Sequence, residues 1–310
     1  MEQIYIIMLI ALAILAITDL MVGVSNDAVN FLNSAIGSKA VSFKTIMIVA
    51  SLGVAVGALY SNGMMEIARN GIFTPSMFSF NDVIIIFLAV MITDVLLLDV
   101  FNTLGLPTST TVSVIFSLLG ASVALAVYKV YVSGDSFSTL GNYINTEKAS
   151  EIVYSILLAM TAITFFILVK GLKSITFVPS EVKDFIKESP LTIIAYSLIL
   201  WTIVCQLLIS VFKYSVFKFI IIVGTFGLAL AFAGNDLVNF IGVPIAAYQA
   251  FEIWAAPGQT VGATEFMMSG LEKENLPAPF IFLALAGLVM VYTLWTSKKA
   301  RTVIETEQNL

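Results

Sequence analysis

Val24-Ser25-Asn26-Asp27-Ala28-Val29-Asn30-Phe31 returns 209 residues later as Ala233-Gly234-Asn235-Asp236-Leu237-Val238-Asn239-Phe240. Each copy sets an Asn-Asp pair and a further asparagine at the end of an apolar run, where a membrane helix would be expected to continue. Ser, Asn and Asp offer the backbone alternative hydrogen bonds and weaken a helix interior. The pattern therefore predicts a helix break in each copy, with amides and carbonyls exposed inside the membrane. Irregular backbone at that depth is tolerated only against protein or a water-filled cavity. A half-helix beginning near Ala28 or Leu237 would aim its positive end at an anion, while carbonyls, Asn amides and Asp carboxylates suit a hard cation such as Na⁺. One Asn-Asp pair alone reads as a surface turn; two copies in matched settings argue against that.

The likeness continues downstream. Glu66 precedes Gly71-Ile72 as Glu265 precedes Gly270-Leu271, and Ile86-Phe87-Leu88-Ala89 returns as Ile281-Phe282-Leu283-Ala284. The order is kept although the spacings shrink from 39 to 29 and from 20 to 16. Duplicated halves are a recurring architecture of secondary transporters, with the site between them near the bilayer midplane. Composition agrees. The 310 residues are 59% hydrophobic and 11% charged, less than half the charge of a soluble domain, which excludes both a water-soluble globule and a disordered chain. One cysteine excludes a disulfide framework, and the absence of histidine excludes His-based zinc sites and Ser–His nucleophiles. A net charge of −5 offers no footprint for nucleic acid. The fold class expected is an all-α polytopic membrane protein, two related repeats with broken helices meeting near the midplane.

About 20 apolar residues make a span, and eight candidates follow: 4–24, 44–65, 83–101, 107–132, 151–169, 191–212, 216–233 and 279–296. The first is not a cleaved signal, since Glu2 replaces a basic n-region and no small-residue cleavage site follows. Lys170, Lys173, Lys183 and Lys187 place the loop after the fifth segment in the cytoplasm, with Lys39 and Lys44 on the same side and the N-terminus outside. Lys298, Lys299 and Arg301 also read as cytoplasmic, which requires one segment between 190 and 297 not to cross. The expected organisation is a first repeat over 1–173, a cytoplasmic linker over 174–190 ending at Pro190, a second, incomplete repeat over 191–297 and a charged tail over 298–310.

A second polar insertion, Leu104-Gly105-Leu106-Pro107-Thr108-Ser109-Thr110-Thr111, lies between the third and fourth segments. Pro107 suits a first helical turn, and Ser109, Thr110 and Thr111 then supply hydroxyls and free amides at that helix start. It is either an ion cradle or an ordinary cap. Asp19, Asp94 and Asp99 lie within apolar runs, and intramembrane acids are functional candidates by default; Asp99 and Asn102, three apart, share a face. Either acid could instead accept hydrogen bonds from neighbouring Ser or Thr. Glu66 with Arg69 reads alone as an interfacial ion pair, but its repetition as Glu265 raises its weight. Cys205, the methionines and most phenylalanines read as packing or lipid-facing, and 133–150 as an extramembrane loop.

These residues resemble the inorganic phosphate transporter (PiT) family of sodium- or proton-coupled symporters. Its paired Gly-Ala-Asn-Asp-Val-Ala-Asn motifs resemble Gly23–Asn30 and Ala233–Asn239, its Gly-Leu-Pro-Val-Ser-Thr-Thr motif resembles Gly105–Thr111, and its Glu-Thr-Ile-Arg-Lys-Gly-Ile segment resembles Glu66–Ile72. The resemblance implies that Asp27, Asn30, Asp236 and Asn239 line a phosphate site, with Ser109, Thr110 and Thr111 contributing. It implies further that Asn26 and Asn235 hold the coupling cation and that Glu66, with Glu265 as its repeat, serves transport. Two departures stand out. No second Leu-Pro-x-Ser-Thr-Thr follows Trp295, and 244–265 carries Pro244, Glu252, Pro257 and Glu265 where a counterpart of 44–65 is expected. The chain is thus expected to be an incomplete transporter.

The function implied is symport of inorganic phosphate with Na⁺ or H⁺ across a plasma membrane, that of a bacterial inner membrane. No cofactor is expected beyond the coupling ion; the lipid bilayer is a partner and a homodimer is compatible. Two carboxylates beside an anion repel it at low dielectric unless cations neutralise them or the substrate is protonated, and either route couples anion to cation binding. Sulfate or another oxyanion would fit the same cradle. An enzyme acting on lipid phosphates would need a nucleophile–base pair or metal cage, and a non-transporting subunit is the remaining reading.

Overall fold

The computed structural model describes residues 2–61, 65–145, 215–258, 260–273 and 276–299, with the single positions 203, 207 and 210. The expected segments 151–169 and 191–212 and the linker 174–190 therefore lie outside the described residues, apart from those three positions, as do Lys170, Lys173, Lys183, Lys187, Cys205 and Arg301. Among the described residues six longer helices carry the fold: α1 (Glu2–Ser38), α2 (Phe43–Leu59), α3 (Phe80–Leu104), α4 (Thr110–Ser133), α5 (Val216–Ala255) and α6 (Phe280–Thr296). Among the described residues extended pairing is confined to two isolated bridges, Phe73 with Ile144 and Ser79 with Met267. The molecule is an all-helical membrane protein. Among the described residues four helices are long and apolar enough to cross a bilayer, and α2 and α6 are shorter apolar helices.

Contacts fix the relative directions. Along α1 and α3, Tyr5 bonds Asn81 and Asn26 bonds Asn102, so the two helices run parallel. Tyr5 meets Trp254 and Phe31 stacks on Phe232, so α5 runs antiparallel to both. Gly53 faces Ala229 and Gly57 faces Ala233, so α2 is parallel to α5. Gly287 faces Ala58 and Trp295 bonds Ser51, so α6 is antiparallel to α2. The tail after α6 thus returns to the end where α1 and α3 finish, placing Lys298 and Lys299 at the same end as Lys39 and Lys44. There Lys299 pairs with Asp99.

Helix association inside lipid depends on close packing rather than on expelling water. The largest interface, α2 against α5, shows how. A Cβ on Gly57 would stand 2.4 Å from the Leu230 carbonyl oxygen, and one on Gly53 would stand 2.6 Å from that of Phe226. The two backbones meet along a small-xxx-small stripe, which the four-residue spacing of the glycines makes possible. Elsewhere Gly23 accommodates the ring of Phe240, joining the two repeated motifs directly. Outward faces are apolar: Ile7, Ile10 and Ile14 on α1, Leu96 and Val100 on α3, and Ile281, Leu285 and Leu288 on α6 are all exposed.

The helix breaks expected in the repeated motif are absent. The 37 residues of α1 run unbroken through Asn26-Asp27, and the 40 of α5 run through Asn235-Asp236 and Pro244. At 1.5 Å per residue these are rods of about 55 and 60 Å, so the motif sits inside each helix rather than at its end. Competition with the backbone fails because the polar side chains are engaged elsewhere. The Ser25 hydroxyl donates to the Met21 carbonyl, the Asn26 amide reaches α3 and the turn after it, and Asp27 accepts from Asn30 and Thr110. The discontinuity lies between α3 and α4. Gly105 closes α3 in the left-handed region (φ 68°), and the Ser109 hydroxyl caps α4 by accepting from the Val112 N–H. That cap starts the helix at Thr110, leaving Pro107 outside it.

At its other end α3 begins with a reciprocal cap: Ser79 accepts from the Asp82 N–H and Asp82 accepts from the Ser79 N–H. Lys129 on α4 adds an ion pair to Asp82 at 2.5 Å. Ser79→Ala should lower stability by about 1 kcal/mol, read as a reduced melting midpoint in detergent.

Candidate functional site

The α3–α4 break opens against the middles of α1 and α5. There a cavity of about 330 Å³ is lined by Asp27, Asn30, Pro107, Thr108, Ser109, Thr110, Thr111 and Asp236. Asp27 is buried, Asp236 half-buried, and Asn30 and Ser109 are exposed at its mouth. A chain of hydrogen bonds crosses its floor. Thr110 Oγ donates to Asp27 Oδ2 at 3.0 Å, and Asn30 Nδ2 to Asp27 Oδ1 at 3.3 Å. Asn239 Nδ2 reaches Thr111 Oγ at 2.9 Å, Thr110 Oγ at 3.2 Å and Asp236 Oδ1 at 3.2 Å. Asn235 Nδ2 closes onto Asp236 Oδ1 at 3.0 Å. Thr110 and Thr111 occupy the first turn of α4, where backbone N–H groups have no carbonyl of their own helix and the dipole favours negative charge.

The positive helix end facing this cavity therefore belongs to α4, not to half-helices beginning near Ala28 or Leu237. Six of the seven residues singled out for phosphate, Asp27, Asn30, Ser109, Thr110, Thr111 and Asp236, line one space. The seventh, Asn239, stands behind the threonines and orients them. The two asparagines singled out for the cation differ. Asn26 is fully buried and committed at both ends of its amide: Nδ2 donates to Asn102 Oδ1 and to the Leu106 carbonyl, and Oδ1 accepts from the Thr108 N–H at 2.7 Å. It holds the α3–α4 turn in place. Asn235 is exposed beside Asp236. Glu66 and Glu265 are not brought into the cavity. Glu66 is half-buried ahead of a short π-helical turn, Ile67–Gly71, and Glu265 is exposed in the connection before α6.

Asn102, whose spacing puts it on one helix face with Asp99, is separated from that acid in the structure. Asn102 is buried, accepting from Asn26 and donating to the Val22 carbonyl at 2.7 Å, whereas Asp99 faces outward to Lys299. Its position at the end of a span, one turn before Gly105, was the available signal.

A polar cavity among the helices of a membrane protein, walled by hydroxyls, carboxylates and a helix N-terminus, is a place for a small polar solute. The sequence matches the phosphate transporter family over residues 23–306, and the chain belongs to that family. A protein of Thermococcus kodakarensis provisionally named a phosphate permease is 27% identical over 169 residues, 53% of this chain. The match spans 38% of that relative's length. A solved structure named as the sodium-dependent phosphate transporter superposes with a TM-score of 0.63 at 20% identity, covering 97% of this chain and 78% of its own. That likeness shows the fold.

Proposed function

We propose that the chain imports inorganic phosphate across the plasma membrane together with a coupling cation. The observation that carries this reading is the meeting, in one cavity, of the α4 N-terminus with two carboxylates from different helices. The amides and hydroxyls of Ser109, Thr110 and Thr111 are suited to replace the hydration of a tetrahedral oxyanion. Asp27 and Asp236 repel it unless their charge is offset. A phosphate carrying protons can donate hydrogen bonds to these carboxylates, and a bound Na⁺ or H⁺ can neutralise them. Either way the anion binds better when positive charge accompanies it, which is coupling. Sulfate lacks the protons near neutral pH, so the carboxylates favour phosphate.

Because Asn26 is committed to the turn, the cation is assigned to Asp27 and Asp236, with Asn235 alongside. Glu66 and Glu265 are assigned to the conformational cycle rather than to ligand contact. The basic end carrying Lys39, Lys44, Lys298 and Lys299 is assigned to the cytoplasm, which sets the N-terminus outside. The test is uptake of radiolabelled phosphate into proteoliposomes under imposed Na⁺ or pH gradients, with equilibrium binding in parallel. Expected is gradient-dependent uptake that excess unlabelled phosphate suppresses and sulfate does not. Equal suppression by sulfate would overturn the substrate, and binding without any cation dependence would overturn the coupling.

A further inference from the structure

We infer that Asp19 and Asp94 together hold one exchangeable proton in the packed wall between α1 and α3, at a site separate from the cavity. Both residues are fully buried. The parallel register of α1 and α3, which pairs residues 76 apart at Tyr5–Asn81 and at Asn26–Asn102, sets Asp19 level with Asp94. The Ser113 hydroxyl on α4 donates to Asp94 Oδ1. Independently of that juxtaposition, both oxygens of Asp19 and Oδ2 of Asp94 find no donor among the described residues. Neither acid is salt-bridged there. Among the described residues the further charged group beside the pair is also an acid, Asp27, about two turns along α1 from Asp19.

Two ionised carboxylates in such contact cannot coexist in a dry interior without a positive charge between them. Three acid oxygens in need of a partner and one serine hydroxyl are too few for the six to eight oxygens of a hard divalent cation. A shared proton satisfies the geometry: one acid becomes a donor, the other its acceptor, and the pair carries a single charge. The site adjoins the cavity without opening into it, since Ser113 lies one helical turn beyond Thr110 and its N–H bonds the Ser109 carbonyl. Gain or loss of the proton would thus act on the first turn of α4. That consequence for transport rests on the phosphate reading; the proton itself does not.

The test is infrared spectroscopy of the chain in lipid nanodiscs, in sodium-free and phosphate-free buffer near neutral pH. The wild-type minus Asp19→Asn/Asp94→Asn difference should contain the C=O stretch of a protonated carboxyl, shifted to lower frequency in D₂O. A difference containing only ionised-carboxylate bands, or a band insensitive to D₂O, overturns the proposal. Should the double variant fail to fold, Ser113→Ala provides the second reading. It removes the hydroxyl donated to Asp94, so the band should move in frequency, and an unmoved band overturns the assignment to this pair. The absence of phosphate from the buffer keeps this outcome separate from any failure of the phosphate reading.

Discussion

Asp27→Asn is expected to cut cation-driven phosphate uptake by about ten- to a hundredfold, the loss that follows from removing a charged hydrogen-bonding group worth roughly 1.5–3 kcal/mol. The variant should still insert and pack, because Asn matches the shape of Asp. The reason for a large effect is geometric as well as electrostatic. Asp27 accepts on both of its oxygens, from Asn30 on one and Thr110 on the other. An amide offers only one oxygen, so its NH₂ must face either the Asn30 amide, donor against donor, or the Thr110 hydroxyl, which then has to turn and accept instead of donating. Asp236 differs: Thr111, Asn235 and Asn239 all approach its Oδ1. Asp236→Asn can keep those three bonds and lose only the charge. Phosphate binding measured by equilibrium dialysis should accordingly fall further in Asp27→Asn than in Asp236→Asn, while both lose cation dependence of uptake. Undiminished gradient-driven uptake in Asp27→Asn would falsify the assignment of this carboxylate to the site.

Gly57→Leu should be the most damaging substitution for the fold. Its Cβ would fall 2.4 Å from a backbone oxygen and 3.0 Å from both the Ala233 Cβ and the Gly234 nitrogen. Rotamer changes cannot relieve a clash with backbone, so α2 and α5 must part, at a cost above the roughly 1–3 kcal/mol of ordinary overpacking. Asp236 lies two residues beyond Gly234, so the cavity would deform with the interface. Loss of the monodisperse peak on size exclusion, or a sharply lowered melting midpoint, is the expected readout. Gly227, on the same α5 helix but with open space around it, supplies the contrast. Gly227→Ala should be neutral or slightly stabilising, since Ala is the better helix former by about 1 kcal/mol.

Much of this architecture was legible because lipid imposes a strong pattern. The segments expected at 83–101, 107–132 and 279–296 are helices Phe80–Leu104, Thr110–Ser133 and Phe280–Thr296, each within a few residues. Most of the cavity wall was legible too, since Asp27, Asp236 and the hydroxyls after Pro107 were polar where lipid permits little polarity. The continuity of α1 and α5 was not. Local propensity puts Asn and Asp against a helix interior, and only partners 76 to 83 residues away, Asn102, Leu106, Thr108 and Thr110, make the helical state affordable. The meeting of Asp19 with Asp94 likewise depends on two helices running side by side in one direction, which no local window contains. The close approach of Gly53 and Gly57 to α5 also emerges only once the two helices are side by side.

The aromatic knot at one end of the bundle gives the molecule a fulcrum. Tyr5, Phe80 and Trp254 bolt the start of α1, the start of α3 and the finish of α5 together, with centroids 4.6–5.4 Å apart. From that bolt to Asp27 there is about 33 Å of uninterrupted α1. Were α1 to tilt about that bolt by roughly two degrees, the carboxylate would sweep through about 1 Å, the width of a lost hydrogen bond. Such a swing would strain the Thr110 bond to Asp27 and the Asn26 ties to α3 and the turn after it, while leaving the shaft itself whole.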